Sequence, residues 1–375
     1  RRAASFGNAG HIGVEQVSPW SAWSNVWRAP ASSFAVGGPL DFRWRDAALW
    51  TPWALHFLRA CDPARFARGR EALTALLADA MPAWLRLAAL AEAPDIVLPH
   101  GHVLAWMSPA AAAKARPGLE RGAWGAANWR DMTGSELEAY DRVLRHPPAA
   151  GVRVSGTGQV SEPQAAREAL MAAFVKRGGE LIHDRVDTLV SDSTVKVSCS
   201  GKTLEAGAVL ICAGAWSGAL VRQLSHNVPL IGERGYSVES AEHNWPIALP
   251  TTVFEEHFVV LSRFTTGLRA TSFLEFGTAD APGDARKWRK LESRIGELGV
   301  RFSPKPDRWV GARPTLPDYL PAIGRLERAP NVLYAFGHQH LGLTMCAITS
   351  EIVAALATDK APPLDLSPFR IERFG

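Results

Sequence analysis

Arg313 stands directly before Pro314 at the end of the run Trp309-Val310-Gly311-Ala312-Arg313. An arginine guanidinium is a planar fork that stays charged when buried and can hold a carboxylate through two parallel hydrogen bonds. A lone arginine is more often a solvated surface charge, so its context decides. A second concentration follows in Gly337-His338-Gln339-His340-Leu341-Gly342-Leu343-Thr344. Its two glycines bracket a turn from an apolar strand, Val332 to Phe336, into an apolar helix, Gly342 to Ala357. A helix start presents unpaired N–H groups and the positive end of the macrodipole, which together receive negative charge. Thr344 adds a hydroxyl. The plainer alternative is that these glycines only make turns. His338 and His340 would share a face on a strand. No Cys or carboxylate stands at ligand spacing beside them, so no metal is assigned.

Composition narrows the field. The chain has 375 residues, with 47% hydrophobic and 21% charged residues, as in a globular protein of two or three units. Net charge is only +4, no block of like charge occurs, and Trp124 and Trp129 with nearby Arg form no base-stacking platform, so nucleic acid is not expected. There is neither a Gly-x-Ser-x-Gly elbow nor a phosphate-binding Walker loop. Cys61, Cys199, Cys212 and Cys346 are far apart and match no metal or redox spacing; they read as thiols of a reducing compartment. The stretch Leu73 to Ala93 is too polar and too broken by Asp79, Pro82, Arg86 and Glu92 for a membrane span.

The elements that must position these residues fall into two kinds. Residues 1–60 are rich in Trp, Pro and Gly and read as irregular, with short helices. Pro63 to Ala91 reads as two helices broken at Pro82. Short strands are expected at Ile96–Leu98 and Val103–Trp106, and a helix from Gly134 to Arg145 capped by Ser135, with Glu138 three residues on. A helix from Ser161 to Arg177 ends at Gly178-Gly179. Strands are expected at Leu181–His183, Thr188–Val190 and Val195–Cys199. Ala208 to Ala213 is so apolar that it reads as a parallel strand buried on both faces, followed by a helix from Ala215 to Leu224. Alternation at Tyr236–Val238, His257–Leu261 and Leu268–Phe273 marks antiparallel sheet, interrupted by a helix from Asp284 to Leu298. The fold class is therefore α/β, α+β overall.

An ordered set of motifs now acquires meaning. Ser5-Phe6-Gly7-Asn8-Ala9-Gly10, Gly158-Gln159-Val160-Ser161-Glu162-Pro163, Cys212-Ala213-Gly214-Ala215-Trp216-Ser217, Arg234-Gly235-Tyr236-Ser237 and the two C-terminal runs occur in one sequence. Together they resemble the FAD-dependent D-amino acid oxidase/dehydrogenase superfamily, which includes glycine oxidase and the bacterial D-amino acid dehydrogenases. The resemblance spans the chain. It implies a Rossmann-like FAD-binding domain (1–93, 153–228 and 312–375) interleaved with an antiparallel-sheet substrate domain (94–152 and 229–311). It places Ser5, Asn8, Ala9, Gly10, Val186, Ala213, Gly214, Trp216, Gly311, Arg313, Gly337, His338, His340, Leu341, Gly342, Leu343 and Thr344 around FAD. It places Arg313 on the substrate carboxylate, with Tyr236, His257, Phe258 and His340 on the substrate side. Each of Tyr236, His257 and Phe258 reads equally well as core or surface.

The implied reaction is oxidation of a small amino acid, a D-amino acid first, to an imine by hydride transfer to flavin N5, then hydrolysis to a keto acid and ammonia. Glycine, sarcosine and cyclic or N-substituted amino acids stay open as substrates. Quinone and oxygen stay open as electron acceptors, as does self-association. A cytoplasmic enzyme is expected, with a peripheral place on the inner membrane face as the extension suggested by Trp20, Trp23, Trp27, Trp44, Trp50 and Trp53 beside Arg28, Arg43 and Arg45. The competing expectation is that these Trp pack the flavin domain. One departure stands out: the Gly-x-Gly-x-x-Gly fingerprint and the acidic residue after it are absent, and the sequence starts at Arg1 close to the Asn-Ala-Gly segment. The expectation is a missing βαβ unit of about 30 residues, with weak FAD binding by these residues alone. A non-catalytic flavoprotein-like subunit is the reading from another class.

Overall fold

The computed structural model describes residues 3–374; Arg1, Arg2 and Gly375 lie outside the described residues. Along the chain come β1 (His11–Ile12), α1 (Trp23–Arg28), β2 (Leu40–Phe42), α2 (Ala47–Ala60), α3 (Pro63–Ala78) and α4 (Ala80–Leu90). Then follow β3 (Val97–Leu98), β4 (His102–Trp106), α5 (Pro109–Arg121), β5 (Asn128–Asp131), α6 (Gly134–Glu138), β6 (Ala150–Ser155), β7 (Gly158–Val160) and α7 (Pro163–Lys176). Next are β8 (Val186–Ser191), β9 (Val195–Cys199), β10 (Lys202–Ala206), β11 (Val209–Ile211), α8 (Ser217–Gln223), β12 (Ile231–Ser240), β13 (Thr252–Phe254), β14 (Val259–Arg263) and β15 (Leu268–Gly277). The chain closes with α9 (Ala285–Leu298), β16 (Asp307–Thr315), β17 (Ala322–Leu326), β18 (Ala329–Phe336) and α10 (Gly342–Ala357).

The largest sheet runs β16-β12-β15-β14-β13-β4-β6-β5, with β2 pairing parallel to β15. Side chains alternate across it with the period of two that a strand imposes. Val103, Ala105, Val259 and Leu261 join Leu291, Ile295 and Leu298 of α9 in one core. The intervening Leu104 and Val260 face the other way and line a cavity. A second unit is the sheet β11-β18-β17, in which β11 and β18 are parallel. A third is the antiparallel meander of β8, β9 and β10, and a fourth joins β1, β7 and β3. Helices α3, α4 and α10 share a core with Ile12 and Val160. The stretches 63–90 and 339–357 have the length and apolarity of membrane spans. Here that apolarity serves the shared core, with Trp84 donating to the Leu343 carbonyl at 2.9 Å.

Several local expectations need correction. The helix pair breaks at Asp79 rather than Pro82, because Pro is tolerated in the first turn of α4, where no intrahelical N–H is lost. Thr133, not Ser135, caps α6 in a reciprocal box with Glu136. That helix stops early, as Tyr140, Val143 and Leu144 turn into the core. Glu162 takes the N-cap position of α7 that was expected of Ser161. Leu181 and Ile182 stay exposed in non-strand backbone. β11 is parallel as expected but not buried on both faces: Leu210 is 40% exposed, because β11 is an edge strand and its open face lines the cavity. Residues 47–60, expected to be irregular with short helices, form the long helix α2.

Candidate active site

A cavity of about 1560 Å³ lies between the large sheet and the β11-β18-β17 unit, and its lining collects most of the residues singled out above. Arg313 projects into it from β16. Its Nη1 donates to Glu233 Oε1 at 3.1 Å and to the Phe273 carbonyl at 3.3 Å. Glu233 is fully buried, and its other oxygen accepts from Thr315 Oγ1 at 3.3 Å and from the Tyr319 hydroxyl at 3.1 Å. The guanidinium is thus held along one edge. It also lies across Gly235, where any Cβ would collide with Nη2. Gly235 faces Gly311 across the β12–β16 pair, and a bulge interrupts the β12–β15 register beside it. Bulges re-aim side chains locally. The Trp309 ring in turn covers Gly311 and Gly7, filling the space a Cβ would need at either.

Behind Arg313, Gly337 adopts φ 80°, a left-handed conformation that suits glycine, and turns β18 toward α10. His338 Nε2 lies 3.1 Å from Thr349 Oγ1, while His340 Nε2 lies 2.7 Å from Gln16 Oε1. The two imidazoles therefore have separate partners. Burial lowers the His338 pKa to about 4. Burial, aided by Arg313, lowers that of His340 to about 3. Both rings are neutral near pH 7. Leu341 is buried, and Gly342 opens α10. Thr344 Oγ1 accepts from the Gly13 N–H at 3.1 Å, so its side chain ties the N-terminal segment to α10 and keeps a proton to donate.

The Asn-Ala-Gly segment forms the facing wall. Ser5 sits in a short 3-10 turn, and the Asn8 side chain accepts from the Gly10 N–H at 2.7 Å. Arg269 of β15 donates to the Asn8 carbonyl at 2.7 Å, which fastens this segment to the large sheet. Ser5, Asn8 and Ala9 line the cavity, whereas Gly10 lies behind them against the Phe264 ring. Ala213, Gly214 and Trp216 line it from the loop after β11, with Trp216 44% exposed and bonded to Asp280 Oδ2 at 3.2 Å.

The structure separates the remaining candidates. Phe258 lines the cavity in a left-handed conformation, while its neighbour His257 does not line it. Tyr236 touches the cavity wall, but its hydroxyl donates to Glu275 and accepts from the Asp284 N–H on the α9 side of the sheet. The alternation of β12 explains this: Gly235 is on the Arg313 side, so Tyr236 is not. Desolvation raises the Tyr236 pKa well above its ordinary value. Val186 begins β8 and is not part of the cavity lining. Sequence reasoning missed Glu233, Gln16, His11, Glu15 and His102, all but Glu233 on the cavity wall. For Glu233 a signal existed: it lies two residues before Gly235 on one strand. The others come together only through the packing of distant segments.

These surfaces fit FAD. The open apolar face of Leu210, Ala213 and Trp216, the left-handed Gly214 with nothing within 4 Å of its Cβ position, and the start of α10 make a slot with an anion-favouring end. Comparison with known proteins agrees. The chain is 29% identical, over all its length and 90% of the relative's, to a D-amino-acid oxidase of Bradyrhizobium diazoefficiens. It is 26% identical to D-amino acid dehydrogenase 1 of Mesorhizobium japonicum, over 99% of this chain and 90% of that one. Glycine oxidase from Geobacillus kaustophilus shares the fold with a TM-score of 0.68 at 24% identity, over 79% of this chain and 82% of that one. A family model described as FAD dependent oxidoreductase matches residues 2–356, and the chain belongs to that family.

Proposed function

We propose that the protein oxidises the C–N bond of a small amino acid, a D-amino acid first, to the imine, which water then converts to a keto acid and ammonia. The observation that carries this reading is Arg313, held on one edge by buried Glu233 and open toward a cavity shared with the α10 start. FAD, when bound, would supply the two-electron acceptor for the hydride that leaves the substrate. The chain's own residues bind and orient. The free edge of Arg313 pairs with the substrate carboxylate, and this fixes which C–H bond is presented. Neutral His340 keeps a positive charge from accumulating beside Arg313. The apolar wall of Leu104, Val260 and Phe258 excludes water and favours the neutral amine, the form able to give up hydride. The names of the similar oxidase and dehydrogenase support an amino acid substrate. The test is a panel of D- and L-amino acids on flavin-loaded protein, followed by ammonia release; no turnover of any amino acid would sink the reading.

A membrane quinone as electron acceptor is favoured by a separate observation. Trp53 is buried, but Trp27 and Trp44 are 75% and 79% exposed, with Trp20 and Trp23 also exposed and Arg28 and Arg45 beside them. Core packing therefore accounts for only part of the Trp excess. Exposed Trp with Arg suits a bilayer interface. Reduction of a soluble quinone analogue without peroxide formation supports the quinone; stoichiometric peroxide supports oxygen.

A further inference from the structure

His11, Glu15 and His102 converge on one point of the cavity wall, with one ligand atom from each lying within 4.8 Å of the others. They come from three places: β1, the turn after it, and the first residue of β4. His102 is fully buried, and its Nδ1 lies 2.9 Å from Thr157 Oγ1. Thr157 gives its own proton to the Val154 carbonyl. With Nδ1 bonded to Thr157, Nε2 is the ring nitrogen left facing Glu15, 3.7 Å from its Oε1. His102 Nε2, His11 Nε2 and Glu15 Oε2 are all buried and lack a hydrogen-bond partner. Buried polar atoms are rarely left so. A carboxylate and two imidazoles that face one another unpaired in a cavity wall define a hole that suits a positively charged group.

The cavity indicates its kind. The trio and Arg313 line the same space, so a molecule whose carboxylate meets Arg313 can set a second, positively charged group against the Glu15 carboxylate and the two imidazoles. We propose that this trio receives a second, positively charged nitrogen of the substrate, so that the preferred amino acids carry a basic side chain. The proposal rests on the amino acid reading above and adds a side-chain class to it. Arg313 takes the carboxylate, and the trio takes the far ammonium within the same cavity. The protonation states suit the task. Burial lowers the His11 pKa to about 4, leaving a neutral imidazole that does not repel a cation. Burial raises that of Glu15 to about 7, against the opposing pull of a backbone N–H and Gln16. An arriving ammonium supplies the charge that ionises it. The other acidic group of similar density, Asp41, Glu275 and Asp284, already surrounds Lys287 and needs no ligand.

D-lysine and D-norleucine are nearly the same size and differ in the terminal ammonium, so they test the idea on flavin-loaded protein. The expected kcat/KM ratio favours lysine at least tenfold at pH 8, and Glu15→Gln lowers that ratio at least tenfold while the flavin absorbance is retained. Independently of turnover, calorimetric titration with n-butylammonium should show binding weakened about tenfold by Glu15→Gln and by His102→Phe. Equal or better use of norleucine, with a ratio insensitive to Glu15, would overturn the proposal while leaving amino acid oxidation intact. If no amino acid is turned over, the functional reading fails, and n-butylammonium binding still decides the cation site. Stoichiometric Zn²⁺ binding lost in both variants, with no n-butylammonium binding, would overturn it in favour of a metal.

Discussion

The buried carboxylate of Glu233 accepts a hydrogen bond from Arg313 Nη1 at 3.1 Å across the β12–β16 pair. This contact sets where the guanidinium stops, and so where a carboxylate ligand must lie. Replacing Arg313 with Ala removes a charge-assisted pairing worth about 2–3 kcal/mol. Steady-state kinetics should show kcat/KM for amino acids falling about 30- to 100-fold, with flavin absorbance retained. Unchanged kinetics would remove Arg313 from substrate binding.

Glu233 itself should matter more for stability. In Glu233→Ala, Arg313, Thr315 and Tyr319 all lose a partner in a buried place. Breaking one side of a buried pair costs about 3–5 kcal/mol. Urea unfolding should register a loss of that order. Glu233→Gln, which can still accept, should recover part of it.

Gly235→Ala tests position without removing any charge. The new Cβ would meet Arg313 Nη2, the mobile end of a side chain, so the backbone need not move. KM should rise several-fold more than kcat falls, with little change in unfolding midpoint. A large loss of stability would instead mean that the strand, and not the guanidinium, had yielded.

The buried imidazoles predict an acid limb of stability. His338 and His340 have folded pKa values of about 4 and about 3, below the ordinary 6.5. Their lowered values leave stability intact above about pH 6.5, and it is lost as pH falls toward the folded values, because the unfolded chain takes up protons first. Each contributes up to about 1.4 kcal/mol per pH unit in that window. Glu15 acts oppositely: its folded pKa is raised to about 7, so its contribution is full below about 4.5 and is lost as pH rises through 7. Denaturant unfolding between pH 4.5 and 8 should show a fall on the acid side that His340→Gln makes shallower. An unaltered slope would count against a neutral, buried His340.

The exposed indoles give a fifth expectation. Trp27→Ser with Trp44→Ser should reduce cosedimentation with anionic vesicles several-fold while leaving turnover with a soluble acceptor nearly intact. Equal sedimentation of both proteins would detach these residues from any membrane role.

Much of this was legible in the residues. The apolar run ending at Gly337, the glycine-bounded start of α10 and the Arg-Pro pair were visible because each depends on local chemistry: turn conformation, helix termination and a charged fork. The same locality failed where tertiary packing competes. β11 read as doubly buried because apolarity alone cannot say whether a face meets protein or a cavity. Tyr236, which the resemblance places on the substrate side, lines the cavity but sends its hydroxyl to Glu275; the direction a strand residue takes depends on register, and a bulge intervenes beside it. Glu15 and His102 are ordinary polar residues in sequence, 87 positions apart. The family resemblance, most of the helix and strand types and the glycine-bounded turn before α10 are properties of neighbouring residues, and the sequence by itself determined them. Which side of each sheet faces the cavity, which carboxylate holds Arg313, and the meeting of three unpaired polar side chains depend on contacts between distant segments, and only the tertiary structure decided those.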